Sequence, residues 1–239
     1  TEEFDHIFMD LDGTITESGP GIVNAVKYMF DRIGMREDDG ERLRSFIGPP
    51  LTAQLKRLYG FSEEEAQKAY LVFREYYERT GMYENRLYDG IVEAIEAMRS
   101  AGAHVYVATA KPDFIAMPII KHFGVLHLFE RVFAVRREEG IYDKLQVLQS
   151  IDAELGPILR PLMVGDRKYD IEGGRAVGYA TAGVLYGYGS RDELLDAGCD
   201  YLVDSVEDLP ALTGRKQRRD CLSRLKGRTA AENPRRSDI

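Results

Sequence analysis

The stretch that decides the fold is Phe4-Asp5-His6-Ile7-Phe8-Met9-Asp10-Leu11-Asp12-Gly13-Thr14, at residues 4–14. A short apolar run that ends abruptly in two aspartates and a glycine is typical of a buried strand that delivers carboxylates to a loop. Ligand sites in open α/β sheets lie at the carboxyl ends of strands, so we expect Asp10 and Asp12 in the functional site. Extended backbone projects positions two apart to the same side, and two such carboxylates repel unless a cation or a proton intervenes.

A calcium-binding loop of the EF-hand type is the alternative for this stretch, because such loops also begin with Asp-x-Asp. In that pattern Gly13 comes too early, Ile15 occupies the position of the glycine, and Gly21 occupies a ligand position. A strand rather than a helix also precedes the loop. The sequence therefore favours an α/β site over an EF-hand.

Further apolar runs along the chain stop at polar residues in the same way. They lie at 104–109, 131–135, 160–166 and 179–185, with a weaker run at 200–203. Segments with helical periodicity separate them, as Ile91, Ile95 and Met98 illustrate. This alternation predicts an α/β fold, a Rossmann-like, doubly wound parallel sheet covered by helices on both faces.

A long helical insertion interrupts the alternation after the first strand. Residues 17–87 have an almost purely helical pattern, and they leave the predicted sheet at its active edge. We therefore expect a helical cap domain at 17–87 over a core domain at 1–16 and 88–212. Ser18-Gly19-Pro20-Gly21 and Leu87-Tyr88-Asp89-Gly90 are predicted to be the two hinges.

Three later segments bring polar side chains to the same edge. Thr109 ends a strand, Lys144 stands in the first turn of a helix, and Asp166 and Asp170 span a turn after another strand. A lysine in the first turn opposes the helix dipole, which suggests a role beyond solubility. Taken singly, however, Thr109 could be an ordinary threonine at a strand end and Lys144 an ordinary surface lysine. Four converging carboxylates with open coordination favour Mg²⁺ over zinc.

The charge of the chain is unevenly distributed. The formal total is −8, but nine Lys and Arg against three carboxylates give residues 214–239 a charge of +6, which leaves −14 on the rest. An acidic body disfavours nucleic acid as a partner, and we interpret the basic segment at 213–239 as a flexible, solvated tail rather than an anchor. No apolar run is long enough to span a membrane, and Cys199 and Cys221 are expected to be free thiols in the cytoplasm. The oligomeric state stays open.

Taken in this order, the motifs resemble those of the haloacid dehalogenase superfamily of aspartate-based phosphatases. The matching residues are Asp10-x-Asp12-Gly13-Thr14, Thr109, Lys144 and Gly165-Asp166-x-x-x-Asp170. The resemblance covers about residues 4–212. The insertion resembles the C1 cap of the subfamily that contains phosphoglycolate phosphatases, and the likeness extends to residues 45–51, 185–190 and 197–201.

The resemblance implies a Mg²⁺-dependent phosphatase with an aspartyl-phosphate intermediate. Asp10 would attack phosphorus, and Asp12 would protonate the leaving group and then deprotonate the attacking water. The metal would be held by Asp10, the backbone carbonyl of Asp12, Asp166, and Asp170 directly or through water.

The same resemblance implies which groups bind the phosphate and the rest of the substrate. Thr109 and Lys144, with the backbone N–H groups of Leu11 and Ala110, would bind the phosphate oxygens. The cap would set specificity through Ile47, Gly48 and Pro49. Cap cations are expected either to meet a substrate anion or to be solvated helix charges, namely Arg42, Arg44, Lys56 and Arg57. Cap tyrosines would either stack on a base or pack the cap core, namely Tyr70, Tyr76, Tyr77 and Tyr83.

The substrate is the least determined part of the prediction. The resemblance favours phosphoglycolate among small phosphorylated metabolites. A 5′-nucleotidase, a sugar-phosphate phosphatase and a phosphomutase of the same superfamily are the alternatives. From a different class, a phosphoacceptor signalling module also combines acidic residues, a hydroxyl, a lysine and Mg²⁺, but receiver domains lack the long insertion.

Overall fold

The computed structural model describes residues 4–213, so all of the basic segment except Thr213 lies outside the described residues. In chain order the strands are β1 (His6–Met9), β2 (Thr16–Glu17), β3 (Arg86–Leu87), β4 (His104–Pro112), β5 (Val132–Val135), β6 (Pro161–Gly165), β7 (Ala180–Val184) and β8 (Tyr201–Val203). The α-helices are α1 (Gly19–Arg32), α2 (Gly40–Arg44), α3 (Leu51–Tyr59), α4 (Glu63–Tyr77), α5 (Ile91–Ser100), α6 (Asp113–His122), α7 (Lys144–Leu155), α8 (Lys168–Ala176) and α9 (Arg191–Asp196).

A six-stranded parallel sheet, ordered β5-β4-β1-β6-β7-β8, forms the centre of the molecule. Strand β1 lies inside the sheet between β4 and β6, where Met9 pairs in register with Val107 of β4 and Val164 of β6. The segments that follow these three strands therefore begin at one edge of the sheet. The prediction of a doubly wound α/β fold is confirmed.

Alternation along β1 explains why both faces of the sheet are covered. Ile7 and Met9 pack into the larger hydrophobic core, and Phe8 packs into a second core on the other face. There the Phe8 ring stacks on Tyr106 and Tyr179, with centroids 4.8 and 5.4 Å away. Because a strand buried on both faces is apolar at every position, the run at residues 7–9 is continuous rather than alternating.

A helical insert, residues 18–85, lies between β2 and β3 and holds α1 to α4. The two short strands pair antiparallel, Thr16 with Leu87 and Glu17 with Arg86, and the latter two side chains form an ion pair. In the hinge predicted at residues 18–21, Ser18 is the N-cap and residues 19–21 begin α1, because a proline at the second helical position is compatible with the start of a helix. Among the described residues, no helix has both the length and the apolar character needed to cross a bilayer.

Candidate active site

Three carboxylates converge where β1 and β6 end. One oxygen from each of Asp10, Asp166 and Asp170 lies within 4.8 Å of the others. Burial raises the pKa of Asp10 to about 6, against the opposing effect of Lys144. Burial, with the charges of Asp170 and Asp10, raises the pKa of Asp166 well above its ordinary value. The cluster is therefore short of positive charge.

A divalent cation fits this cluster. Asp166 Oδ2 accepts a hydrogen bond from the Tyr188 N–H at 2.8 Å, but Oδ1 is buried and has no hydrogen-bond partner. Carboxylate oxygens are the ligands that Mg²⁺ prefers in proteins. Gly13 makes room for Asp166, since it has φ +77° and a Cβ there would lie 2.2 Å from Asp166 Oδ2. The glycine of the first motif thus leaves room for the carboxylate of Asp166.

Lys144 supplies a buried cation that touches the cluster. Its Nζ lies 2.8 Å from Asp10 Oδ1 and 2.7 Å from Asp170 Oδ1, and it donates to the Ala108 carbonyl at 2.7 Å. Burial lowers the pKa of Lys144, but the two carboxylates outweigh it and raise the value overall. Asp143 caps α7 by accepting from the Gln146 N–H at 2.8 Å, so the helix start is stabilised although a lysine follows it.

Asp12 lies apart from the three-carboxylate cluster and forms a different ion pair. Its Oδ2 is 2.7 Å from Nζ of Lys111, which also donates to the hydroxyl of Tyr77 at 2.7 Å. Sequence reasoning missed Lys111. The signal was present, because Lys111 follows Thr109 by two positions in an extended strand and so projects to the same side.

The predicted phosphate-binding residues are placed differently from one another. Thr109 is buried, and its Oγ1 accepts from the Lys111 N–H at 3.2 Å. Ala110 is exposed and lines the cavity described below. Leu11 is buried in the hydrophobic core, and its carbonyl accepts from the Thr16 N–H at 2.8 Å. Its side chain therefore has a packing role, and only its backbone is available to a ligand.

A cavity of about 480 Å³ joins these groups to the helical insert. Ile47, Gly48 and Pro49 line it from the insert side, where the sequence predicted specificity residues. Its wall is rich in aromatic side chains from both parts of the molecule: Phe46, Tyr70, Phe73, Tyr77, Phe114, Tyr142, Tyr169 and Tyr188. The site is thus a mostly apolar chamber with charged groups at its core end.

The predicted cap cations do not contact the cavity within the described structure. Lys56 pairs with Glu63 at 2.6 Å, and the side chain of Arg57 donates to Gln54 at 2.8 Å. Arg42 lies near acidic neighbours, and Arg44 is likewise outside the lining. These four side chains are surface charges of the insert. Of the four tyrosines, Tyr70 and Tyr77 line the cavity whereas Tyr76 and Tyr83 do not.

Arg167 joins the core to the insert, and sequence reasoning missed it as well. Its guanidinium donates to the Ile47 carbonyl and, through Nε, to Glu193 at 2.8 Å. Gly48 permits this approach, because its φ is +102° and a Cβ would lie 2.5 Å from Arg167 Nη1. The sequence signal that could have indicated Arg167 was its position between Asp166 and Asp170 of the last motif.

Known proteins share this architecture. Residues 7–184 match the model of the family described as haloacid dehalogenase-like hydrolase. A 5′-nucleotidase of Pseudomonas aeruginosa is 39% identical over 192 residues, which cover 80% of this chain and 87% of that protein. A tyrosine-protein kinase, PtkA of Mycobacterium tuberculosis, is 35% identical over 187 residues, 78% of this chain and 64% of the relative. A phosphoglycolate phosphatase of Agrobacterium fabrum is 27% identical over 214 residues, 85% of this chain and 88% of the relative.

The shared fold extends to solved structures. That of a predicted phosphatase from Clostridium acetobutylicum superimposes with a TM-score of 0.81 at 33% identity, covering 87% of this chain and 97% of that one.

Proposed function

The chain belongs to the haloacid dehalogenase-like hydrolase family, and from that premise we propose that it is a Mg²⁺-dependent phosphomonoester hydrolase acting through an aspartyl-phosphate on Asp10. The observation that carries the proposal is the convergence of Asp10, Asp12 and Lys144 with the buried carboxylates Asp166 and Asp170 at one end of the cavity. The helical insert would act as the cap that covers the reacting groups.

Two displacements at phosphorus follow from these residues. In the first, a carboxylate oxygen of Asp10 bonds to phosphorus while the bond to the leaving oxygen breaks, and Asp12 gives that oxygen a proton. In the second, Asp12 takes a proton from water as the water oxygen attacks phosphorus, and the bond to Asp10 breaks. The products are an alcohol and inorganic phosphate, and both aspartates return to their starting states.

Positive charge governs how the phosphate is held. Lys144, already in contact with Asp10, would bind an equatorial oxygen together with Thr109 and the N–H of Ala110. Asp10, Asp166 and Asp170, with the carbonyl of Asp12, would hold Mg²⁺, which when bound offsets the repulsion between the carboxylates and an anionic substrate.

The cavity supports a nucleoside 5′-monophosphate as the substrate rather than phosphoglycolate. Its volume of about 480 Å³ lies in the range of pockets for drug-sized ligands, and phosphoglycolate would fill little of it. Tyr70 and Phe114, from the insert and the core, line the cavity with aromatic rings, the kind of side chain on which a base stacks. The similarity to a 5′-nucleotidase agrees with this choice.

Phosphate release from a panel of esters tests the proposal. Nucleoside monophosphates, 2-phosphoglycolate, hexose phosphates and 4-nitrophenyl phosphate would each be supplied with Mg²⁺ or with EDTA, using Asp10→Asn as the matched control. We expect Mg²⁺-dependent release that is fastest with a nucleotide and absent from Asp10→Asn. Release by that variant would contradict the assignment of Asp10. A faster reaction with phosphoglycolate than with any nucleotide would overturn only the substrate assignment. Phosphate retained on the protein would favour the signalling alternative.

A further inference from the structure

One buried cation in the cavity is not used by the mechanism above. The Lys111 ammonium lies 2.7 Å from Asp12 Oδ2 and 2.7 Å from the Tyr77 hydroxyl, and 7% of its side chain is exposed. Lys111 and Asp12 belong to the core, whereas Tyr77 is the last residue of α4 in the helical insert. The three side chains therefore form a chain of contacts across the boundary between the two parts.

We propose that Lys111 is a positioning residue that orients Asp12 for proton transfer, and that Tyr77 holds Lys111 in place only when the helical insert is seated on the core. The inference rests on the proposed function, since it concerns the proton transfer assigned there to Asp12. It adds Lys111, which the sequence motifs did not single out, and gives Tyr77 a role other than base stacking or core packing.

The two oxygens of Asp12 are unequal, and this inequality supports a positioning role. Oδ2 is held by Lys111, while Oδ1 is buried and has no hydrogen-bond partner. A buried carboxylate oxygen without a partner costs free energy, and a ligand atom that bonds to Oδ1 would remove that cost. Lys111 thus fixes the carboxylate plane by one oxygen and leaves the other for the leaving group and the water.

Lys111 itself depends on the insert. Its Nζ lies 4.9 Å from the centroid of the Tyr77 ring as well as within hydrogen-bond distance of the hydroxyl. Burial raises the pKa of Tyr77 despite the opposing charge of Lys111, so the phenol is neutral and accepts the hydrogen bond. The Phe73 ring stacks on the Tyr77 ring, with 5.2 Å between the ring centroids, and holds it against the cavity wall. Separation of the insert from the core would remove both contacts from the ammonium.

The contact chain is tested with Lys111→Met, Tyr77→Phe and the double variant, with Lys111→Arg as the conservative replacement. Tyr76→Phe is the matched control, because Tyr76 neighbours Tyr77 in α4 but bonds to Glu84 outside the cavity. Thermal unfolding and circular dichroism establish that each variant is folded. If Lys111→Met does not fold, Tyr77→Phe and Lys111→Arg carry the test.

Kinetics with an alkyl ester, such as a nucleoside monophosphate, give the first readout. We expect Lys111→Met to lower kcat by about 10–100-fold with little change in KM, as loss of orientation by about 1 Å does elsewhere. Tyr77→Phe should lower kcat by a smaller factor, and Lys111→Arg should restore part of it. The double variant should be no slower than Lys111→Met, because Tyr77 acts through Lys111.

A 4-nitrophenyl ester gives the second readout, because its leaving group departs without a proton. Lys111→Met should then release about one nitrophenolate per active site rapidly and turn over slowly afterwards, since attack by water still requires Asp12. A raised KM with unchanged kcat would show that Lys111 binds substrate instead, and additive effects in the double variant would show that Tyr77 acts independently. Either result overturns the inference. If the wild-type chain shows no turnover, both the proposed function and this inference are wrong. If the wild type is active and Lys111→Met is equally active, only this inference is wrong.

Discussion

The buried carboxylate of Asp10 leads to a prediction about stability that does not depend on knowing the substrate. Burial raises the pKa of Asp10 from 3.8 to about 6 in the metal-free protein. Between those values the folded chain binds more protons than the unfolded chain, so the free energy of unfolding falls as the pH rises. The stabilising contribution of Asp10 is fully present below the lower value and is lost as the pH passes the upper one. Asp10→Asn should abolish this dependence.

The magnitude follows from the shift. A change of about two pKa units corresponds to about 3 kcal/mol in full, of which about 2 kcal/mol is lost between about pH 4.5 and about pH 7.5. For a domain of this size, that loss corresponds to a decrease of about 4–8 °C in Tm. The effect is large enough to measure by thermal unfolding.

The assay compares the wild type with Asp10→Asn in EDTA across this pH range. The titrating groups remote from the site are common to both proteins, so the difference between their Tm values reports Asp10 together with the charged groups that it contacts. We expect the wild type to lose about 4–8 °C relative to the variant as the pH rises. A difference that is constant with pH, or that moves in the opposite direction, would refute the reasoning.

Three further predictions concern the metal, the buried cation and the insert. Mg²⁺ at about 100 times its Kd should add about 2.7 kcal/mol to the free energy of unfolding near neutral pH, which corresponds to an increase of about 5–10 °C in Tm. The same increase in the Asp166→Asn variant would contradict the proposed metal site. Lys144→Met should lower the free energy of unfolding, measured with urea in the presence of EDTA, by about 3–5 kcal/mol, because two buried carboxylates lose their cation. A loss below about 1 kcal/mol would instead show that the carboxylates take up protons. Gly48→Ala should raise KM, because its φ of +102° and the approach of Arg167 leave no room for a methyl group. Gly34→Ala is the control, since its φ is +76° with open space around it, so it should cost stability without changing KM.

The core was predictable because its pattern is local. Six apolar runs, each ending in polar residues, determine the strands of the parallel sheet. Parallel pairing then brings Asp10, Thr109 and Asp166 to one edge of the sheet, independently of the conformation of the loops. Lys144 was predictable only as a member of the motif set, since its contacts with two carboxylates depend on how α7 packs against the sheet.

The contacts between the core and the insert were not predictable in the same way. Tyr77 meets Lys111 only because α4 ends over the strand edge, and no spacing within α4 specifies that position. Similarly, Arg167 reaches the carbonyl of Ile47 across 120 positions of the chain. Such contacts depend on the relative placement of two packed units, which periodicity along a single element does not encode.

The short ribbon of β2 and β3 has a consequence for how such proteins diversify. Because Thr16 lies opposite Leu87 and Glu17 opposite Arg86, the chain leaves the core and re-enters it at neighbouring backbone positions. A two-residue turn is sufficient to connect antiparallel strands at this spacing. The whole insert is therefore joined to the core through one pair of neighbouring strands, so recombination at the ribbon can exchange it without interrupting any strand of the six-stranded sheet. Joining Glu17 to Arg86 through such a turn would give a minimal core on which lobes from distant relatives can be grafted and their preferences compared.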